Sequence, residues 1–195
     1  MPADTDVAND ALAQLGESPI TGLDQGTPKA NYCQQFFASI VDDAIRRYNW
    51  AFAREFQKLA EITSVSTDPF RIKWDHKFGL PADPYCLAVR CLNNSELAEW
   101  EVGSGRVLLC NDATAKIEYS ARVSDPTLWD ATFYQAVTLG LAGKLVAALK
   151  HDYTGSRQLM AMYQAIFTDA TYHSSQESKL TGPENQDALI LVRGD

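Results

Sequence analysis

The sequence lacks the short motifs that mark known catalytic and metal-binding sites. Its three histidines are isolated, and none belongs to an HExxH motif or another metal-binding spacing. It also lacks a GxSxG elbow, a Walker motif and a Rossmann fingerprint. We therefore predict no catalytic residue, no metal ligand and no cofactor, and interpret the chain as a structural protein rather than an enzyme.

Clustered positive charge is also scarce. The longest basic run is Arg46-Arg47, and the formal net charge of the 195 residues is -8. Proteins that wrap nucleic acid need clustered Lys and Arg to neutralise phosphates, so specific DNA binding is not expected. The acidic opening MPADTDVAND lacks a basic region followed by an apolar run, and is therefore not predicted to be a signal peptide.

The four cysteines show no pairing pattern, because no CxxC spacing occurs among Cys33, Cys86, Cys91 and Cys110. We expect free, buried thiols in a reducing cytosol.

Helical patterns occupy both ends of the chain. Asp4 is predicted to cap a first helix that runs to Leu15 and stops at Gly16. Thr27 is predicted to cap a second helix, with Pro28 at its first position and an end near Trp50.

The middle of the chain, from about Arg54 to Val123, changes to short strands and turns. A glycine-rich turn at Gly103-Ser104-Gly105 predicts a hairpin. The predicted strands are Phe70–Phe78, Tyr85–Leu92, Ala98–Val102, Arg106–Cys110 and Lys116–Arg122.

Helices return at Asp125-Pro126, which is predicted to start a third helix. The run to Lys150 is apolar nearly all round, as in a central bundle helix or a membrane span, and its polar residues favour the bundle. Gly140 and Gly143 predict the close approach of a neighbouring helix. A last helix is expected from about Ser156 to beyond Tyr172, with Leu159, Met162, Tyr163, Ile166, Phe167 and Ala170 on its apolar stripe.

The predicted fold class is α+β. Residues 1–53 and 124–180 form a four-helix bundle, and residues 54–123 form a small antiparallel β-sheet inserted between helices 2 and 3. Residues 181–195 form an extended C-terminal tail. The apolar run Leu189, Ile190, Leu191 and Val192 in this tail is predicted to bind a partner, with strand addition to an exposed sheet edge as the favoured mode.

Two residue sets in or beside the inserted region are singled out. The carboxylates Asp75, Asp83, Glu99, Glu101 and Glu118 are a glycosidase pair if two face each other, and ordinary charges on the wet face of a sheet otherwise. The aromatic residues Trp50, Phe52 and Trp74 are predicted to form a hydrophobic hinge between bundle and sheet.

Several short segments resemble, in order and spacing, the tail tubular protein A family of head-to-tail adaptors from short-tailed bacteriophages. The resemblance covers about residues 4 to 150. The matching segments are Ala11-Leu12-Ala13-Gln14-Leu15-Gly16, Asn49-Trp50-Ala51-Phe52-Ala53, Trp74 followed by Leu80-Pro81-Ala82-Asp83, Arg106-Val107-Leu108-Leu109, Ile117-Glu118-Tyr119 and Asp125-Pro126.

The resemblance implies a virion protein of the phage neck, assembled in the host cytoplasm. It implies a homo-oligomeric ring of twelve subunits that binds the portal protein on one side and the tail nozzle protein on the other. DNA is then expected to pass through the lumen without specific binding, and no membrane is involved. Two alternatives stay open: a glycan-hydrolysing tail component that uses carboxylates of the strand region, and a cytosolic helical interaction module unrelated to virions.

Overall fold

The computed structural model describes residues 3–63, 68–95 and 97–177, and within them the fold is mixed α+β with four helices and two small antiparallel sheets. The elements are α1 (Asp4–Ala13), α2 (Pro28–Arg47), β1 (Arg54–Lys58), β2 (His76–Gly79), β3 (Cys86–Leu92), β4 (Trp100–Gly103), β5 (Val107–Cys110), β6 (Lys116–Ala121), α3 (Ala131–Lys150) and α4 (Tyr153–Glu177). Short 3₁₀ turns occupy Ala51–Ala53, Pro69–Ile72 and Pro126–Leu128.

Helix α3 lies at the centre of the helical layer and packs against α1, α2 and α4. A Cβ on Gly140 would lie 3.0 Å from Ile40 Cγ2 on α2 and 3.1 Å from Tyr163 Cε2 on α4. A Cβ on Gly143 would lie 3.0 Å from Met160 Sδ on α4. The predicted close approach at both glycines is confirmed, because a side chain at either position would require the neighbouring atoms to move. Among the described helices, α3 alone has the length and apolarity of a membrane span, and 56% of that window is buried inside the protein.

The helix starts follow the predicted chemistry at one position and depart from it at two. Thr27 Oγ1 accepts a hydrogen bond from Ala30 N, as predicted for α2. Asp4 is not a cap, because α1 begins after Ala3, whose backbone N–H donates to the Asp6 carboxylate at 2.8 Å.

The Asp125-Pro126 pair begins a short 3₁₀ turn rather than the long helix predicted there. The residue that caps α3 is Asp130, whose carboxylate accepts a hydrogen bond from Phe133 N at 2.7 Å. Helix α4 begins at Tyr153, slightly earlier than predicted, and Met162 of its predicted stripe is 56% exposed.

The strands form two three-stranded sheets rather than the single sheet predicted. One sheet has the order β1–β6–β3 and the other β2–β5–β4, and all neighbouring pairs are antiparallel. Both sheets contribute side chains to one buried cluster, including Phe78, Leu108, Leu92, Ile117 and Tyr119. The inserted region is therefore a small β-sandwich with a core of its own.

The hairpin across residues 103–105 is confirmed as the β4–β5 connection. The predicted strand Phe70–Phe78 is wrong in its first half, where a 3₁₀ turn precedes β2. Trp74 does not belong to a hinge, because it packs with Val107 and Leu109 on the outer face of the β2–β5–β4 sheet. The predicted partner-binding run Leu189, Ile190, Leu191 and Val192 lies outside the described residues.

A candidate partner-binding cleft between helices and sandwich

Aromatic side chains join α2 to the first strand of the sandwich. The Trp50 and Phe52 rings lie 5.2 and 4.9 Å from the Phe133 ring of α3, both in edge-on geometry. The Trp50 indole N–H donates to the carbonyl of Ala44 at 2.9 Å, which satisfies its polar atom in the core. Trp50 and Phe52 therefore pack in the core around α3, and their role as a hinge stays a prediction.

A strand residue closes the C-terminal end of α2. Arg90 on β3 donates hydrogen bonds from Nη2 to the carbonyls of Ile45, Arg46 and Tyr48 at 2.9–3.0 Å, and from Nε to Ser120 Oγ at 2.8 Å. The last carbonyls of a helix have no partner within the helix and carry partial negative charge. Arg90 therefore satisfies them from the sandwich and fixes the helix end against β3.

Glu118 on β6 makes a second tie between the two layers. Its Oε1 accepts a hydrogen bond from Asn49 Nδ2 at 2.8 Å and lies 3.3 Å from Arg54 Nε. Both partners flank the segment that leaves α2 for β1. Glu118, on the central strand of its sheet, therefore fixes the segment that connects α2 to β1.

Two guanidinium groups enclose the Tyr85 ring. The Cζ atoms of Arg106 and Arg122 lie 3.6 and 4.4 Å from the ring centroid. Arg106 also donates to the carbonyls of Pro81 and Cys86, at 2.7 and 3.3 Å. Together these contacts hold the loop before β3 between the hairpin and the end of β6.

Arg122 ties the end of β6 to α2. Its Nε donates to Asp42 Oδ1 at 2.8 Å, and its Nη2 donates to Asp42 Oδ2. Hydrogen bonds to the Asp42 carboxylate raise the pKa of Arg122 above its ordinary value.

A cleft of about 570 Å³ lies between α2 and the two sheets, and we call it the arginine cleft. Its lining includes Asp42, Tyr85, Arg106 and Arg122. Its charged walls are Arg46, Arg106 and Arg122 against one carboxylate, Asp42. Arg46 donates to the carbonyl of Leu87 at 2.8 Å. Within the described part of the chain, Asp42 is the cleft's ion-paired carboxylate and its partner is Arg122, so Arg46 and Arg106 bring uncompensated positive charge. A chain of net charge -8 thus contains a locally cationic cleft.

The pKa values of Arg90 and Cys86 are both affected by this concentration of positive charge. Burial lowers the pKa of Arg90, and the charge of Arg46 lowers it further. Burial raises the pKa of the Cys86 thiol, while Arg106, Arg46 and Arg90 act in the opposite direction. Two groups at different positions of β3 are therefore affected by the same cluster of arginines.

Both sheets present an edge strand to the arginine cleft. β3 is an edge of one sheet and β4 an edge of the other, and both line the cleft. Val102 on β4 pairs with Leu108, which is fully buried in the sandwich core, so Val102 belongs to the inner face. Its side chain is nevertheless 47% exposed. The inner face of β4 is therefore left partly uncovered where it meets the cleft.

The candidate carboxylates of the inserted region lie in separate settings. Glu118 makes the contacts above, and Glu101 accepts hydrogen bonds from Lys73 and from the Trp74 indole at 3.4 and 3.3 Å. Asp75, Asp83 and Glu99 are exposed. No group of three or more His, Cys, Asp and Glu side chains that could hold a metal occurs among the described residues.

The remaining reactive side chains have structural environments. His76 Nδ1 lies 2.7 Å from Glu61 Oε1, and His151 follows α3 in the left-handed conformation. All four cysteines lie in the described part and are free thiols, with Cys91 partly exposed and the others buried. The arginine cleft was not found from the sequence, because Arg46, Arg106 and Arg122 are far apart along the chain.

No protein-family model matches this chain, and no curated protein matches it.

Proposed function

We propose that this chain is a structural subunit of a bacteriophage virion, a head-to-tail adaptor that joins the portal protein to the tail nozzle protein. In this proposal twelve copies form a ring in the neck of a short-tailed phage, assembled in the host cytoplasm. The ring forms part of the channel through which DNA leaves the capsid, and it has no catalytic role.

The observation that carries the proposal is where the residues of the resemblance lie. Asn49, Trp50 and Phe52 join α2 to the sandwich, and Glu118 binds Asn49 directly. The carbonyl of Pro81 accepts a hydrogen bond from Arg106, which in turn accepts one from Leu80 N at 3.0 Å. Segments distant in sequence are thus in direct contact, as expected of a family signature that maintains a shared architecture.

The finer architecture belongs to the same proposal. The four helices form a bundle around α3, the sandwich is an insertion between α2 and α3, and residues 181–195 form an extended tail. The insertion presents exposed apolar side chains that a subunit buries on assembly: Phe56 is 70% exposed, Ile72 93% and Leu97 92%. Such residues are typical of a protein that completes its packing against neighbours.

The charge distribution supports a channel that DNA crosses without sticking. The inserted region, residues 54–123, has nine basic and ten acidic residues, whereas the rest of the chain has eight basic and fifteen acidic residues. The negative charge therefore belongs mainly to the helical segments and the tail. A lumen lined by these parts would repel the phosphate backbone.

The proposal is tested by mixing the purified chain with the portal protein encoded beside it and imaging the mixture by electron cryomicroscopy. We expect monomers or small oligomers in the free protein and a twelve-fold ring seated on the portal, because ring closure then depends on the template. A chain that stays unbound at saturating portal concentration would contradict the proposal. Stable twelve-fold rings without portal would contradict the template dependence alone.

A polysaccharide turnover assay separates the adaptor from the glycan-hydrolysing alternative. We expect no turnover by the wild-type chain. Turnover that is abolished by Glu99→Gln or Glu118→Gln would establish the enzyme instead. Glu118→Gln keeps an oxygen that can accept from Asn49, so the fold should survive the substitution.

A further inference from the structure

We propose that the arginine cleft is the binding site for the chain's own segment 184–192, Glu-Asn-Gln-Asp-Ala-Leu-Ile-Leu-Val. This segment follows the last described residue of α4 by seven positions. The inference concerns an interaction surface and does not rest on the adaptor function.

Charge complementarity is the first argument. From Thr181 to Val192 the chain has two carboxylates, Glu184 and Asp187, and no basic residue. The cleft offers three arginines against the single carboxylate of Asp42. Guanidinium groups bind carboxylates with two parallel hydrogen bonds, so Arg46 is well suited to accept a further anionic partner. Within the described part of the chain its hydrogen bond is to the carbonyl of Leu87, which leaves donors available.

The order of apolar and acidic residues is the second argument. In an extended segment Asp187, Leu189 and Leu191 project to one side, because side chains alternate along a strand. The lining of the cleft likewise combines arginines with the partly exposed inner-face residues Trp100 and Val102. One face of the segment therefore presents a carboxylate to the arginines and two leucines to the uncovered end of the sandwich core.

The free edge of β4 is the third argument. β4 pairs with β5 on one side, and within the described residues its other side is an edge of the sheet. An extended peptide that pairs with such an edge gains backbone hydrogen bonds as well as side-chain burial. On β3, by contrast, Arg46 already donates to the carbonyl of Leu87. The segment is therefore expected to pair with β4 rather than β3.

Nucleic acid fits this cleft less well than a peptide does. Phosphate contacts favour exposed, polar, strongly basic surfaces. Here Arg106 donates to two backbone carbonyls, Arg122 is paired with Asp42, and much of the remaining lining is apolar. An acidic segment followed by leucines satisfies both parts of the lining.

Disulfide trapping in the full-length chain tests the inference. All variants have Cys91→Ser, which removes the one cysteine that is not buried. The test variant adds Val102→Cys and Leu191→Cys, and dissolved oxygen with a copper catalyst oxidises the two thiols to a disulfide. The control adds Ile72→Cys and Leu191→Cys, since Ile72 is 93% exposed and Val102 only 47%. Random collision would therefore favour the control.

We expect the Val102–Leu191 disulfide to form at least about tenfold faster than the control, which corresponds to about 1.4 kcal/mol of preferential docking. Asp187→Asn or Arg46→Gln should each slow it several-fold, and so should 1 M salt. Equal rates in test and control would overturn the inference, as would trapping that short duplex DNA abolishes at physiological salt. Hydrogen exchange on the protein without new cysteines gives a second measurement: Asp187→Asn should speed exchange of the β4 amides, and unchanged exchange would overturn the inference.

The migration of the trapped product identifies which copy donates the segment. A linked dimer shows donation by a neighbouring copy, and a faster-migrating monomer shows docking within one chain. Either product supports the pairing of segment and cleft. Portal binding is measured separately, so failure of the pairing leaves the adaptor proposal standing.

Discussion

The helical layer and the β-sandwich solve the problem of burial differently. Around α3 the helical core is closed on three sides, and Phe133 alone meets the rings of Trp50, Phe52 and Trp129 at 4.9–5.2 Å. The sandwich has a smaller core, and its edge strands remain open. Every residue of β1 is exposed, and Val102 of β4 is half-exposed on the inner face. Among the described residues, the packing is therefore more closed around α3 than at the sheet edges, and we expect the helices to contribute more of the stability.

The largest expected effect tests the closed core. Phe133→Ala removes a fully buried ring and should lower the free energy of unfolding by about 3–5 kcal/mol. Leu108→Ala, the counterpart in the sandwich core, should cost about 2–5 kcal/mol. Urea unfolding followed by circular dichroism measures both.

The matched control for the closed core is Leu128→Ala, because Leu128 is 60% exposed and should change stability by less than about 0.5 kcal/mol. If Leu108→Ala proved more damaging than Phe133→Ala, the sandwich rather than the helical layer would be the main source of stability.

The next effect tests the tie between the two regions. Arg90→Met keeps the aliphatic stem but removes the donors that satisfy the end of α2. We expect a loss of about 2–3 kcal/mol, since hydrogen bonds from a charged group contribute more than neutral ones. Arg157→Met, an exposed arginine on α4, is the control and should be nearly neutral. Similar melting temperatures for the two variants would contradict the structural role of Arg90.

A smaller, pH-dependent effect is expected on the outer side of the helical layer. Burial raises the pKa of Asp43, but hydrogen bonds from Arg47 and Tyr163 outweigh it and lower the pKa below 3.8. Asp43 therefore contributes stability above pH 3.8 that is lost as the pH falls through its lower folded value. The difference in unfolding free energy between wild type and Asp43→Asn should shrink in that range.

Tyr163→Phe is the companion variant for this measurement. It removes the hydroxyl that donates to Asp43 at 2.7 Å. With Tyr163→Phe, the loss of unfolding free energy on acidification should therefore be smaller than in wild type but not abolished. A pH-independent gap between wild type and Asp43→Asn would show that the carboxylate charge has no role.

The smallest effect on the free chain concerns the open edge. Phe56→Ser on β1 should change the unfolding free energy by no more than about 0.5 kcal/mol, because the ring is already 70% exposed. The same substitution should weaken ring assembly on the portal, measured by sedimentation. Met162→Ser on α4 is the control from the closed region. Loss of assembly in both variants or in neither would remove the distinction between the two surfaces.

The sequence predicted those features that depend on local chemistry. The Thr27-Pro28 start, the hairpin at residues 103–105 and the glycines of α3 were all predicted correctly. The cap at Asp4 was wrong because a residue two positions later reaches back to the same end of the helix. β1 had no alternating pattern to reveal it, since neither of its faces is buried.

The arginine cleft could not be predicted, because its residues come from α2, the hairpin and the end of β6. Only the pairing of two sheets and their seat on α2 brings these charges together. The burial of Trp50 was predicted correctly, because large aromatic side chains tend to be buried whatever element they belong to. The sequence did not show which surface each aromatic side chain packs against. Trp74 has the same chemistry but packs on the outer face of the β2–β5–β4 sheet.

The contacts of Arg90 also have a mechanical consequence. Its guanidinium grips carbonyls at the end of α2 while its backbone belongs to β3, and Arg122 grips Asp42 from the end of β6. A force that pulls the sandwich away from the helices would thus load contacts from both β3 and the end of β6. Because two sets of contacts connect the sandwich to the helices, we expect the two parts to move as one rigid body under load.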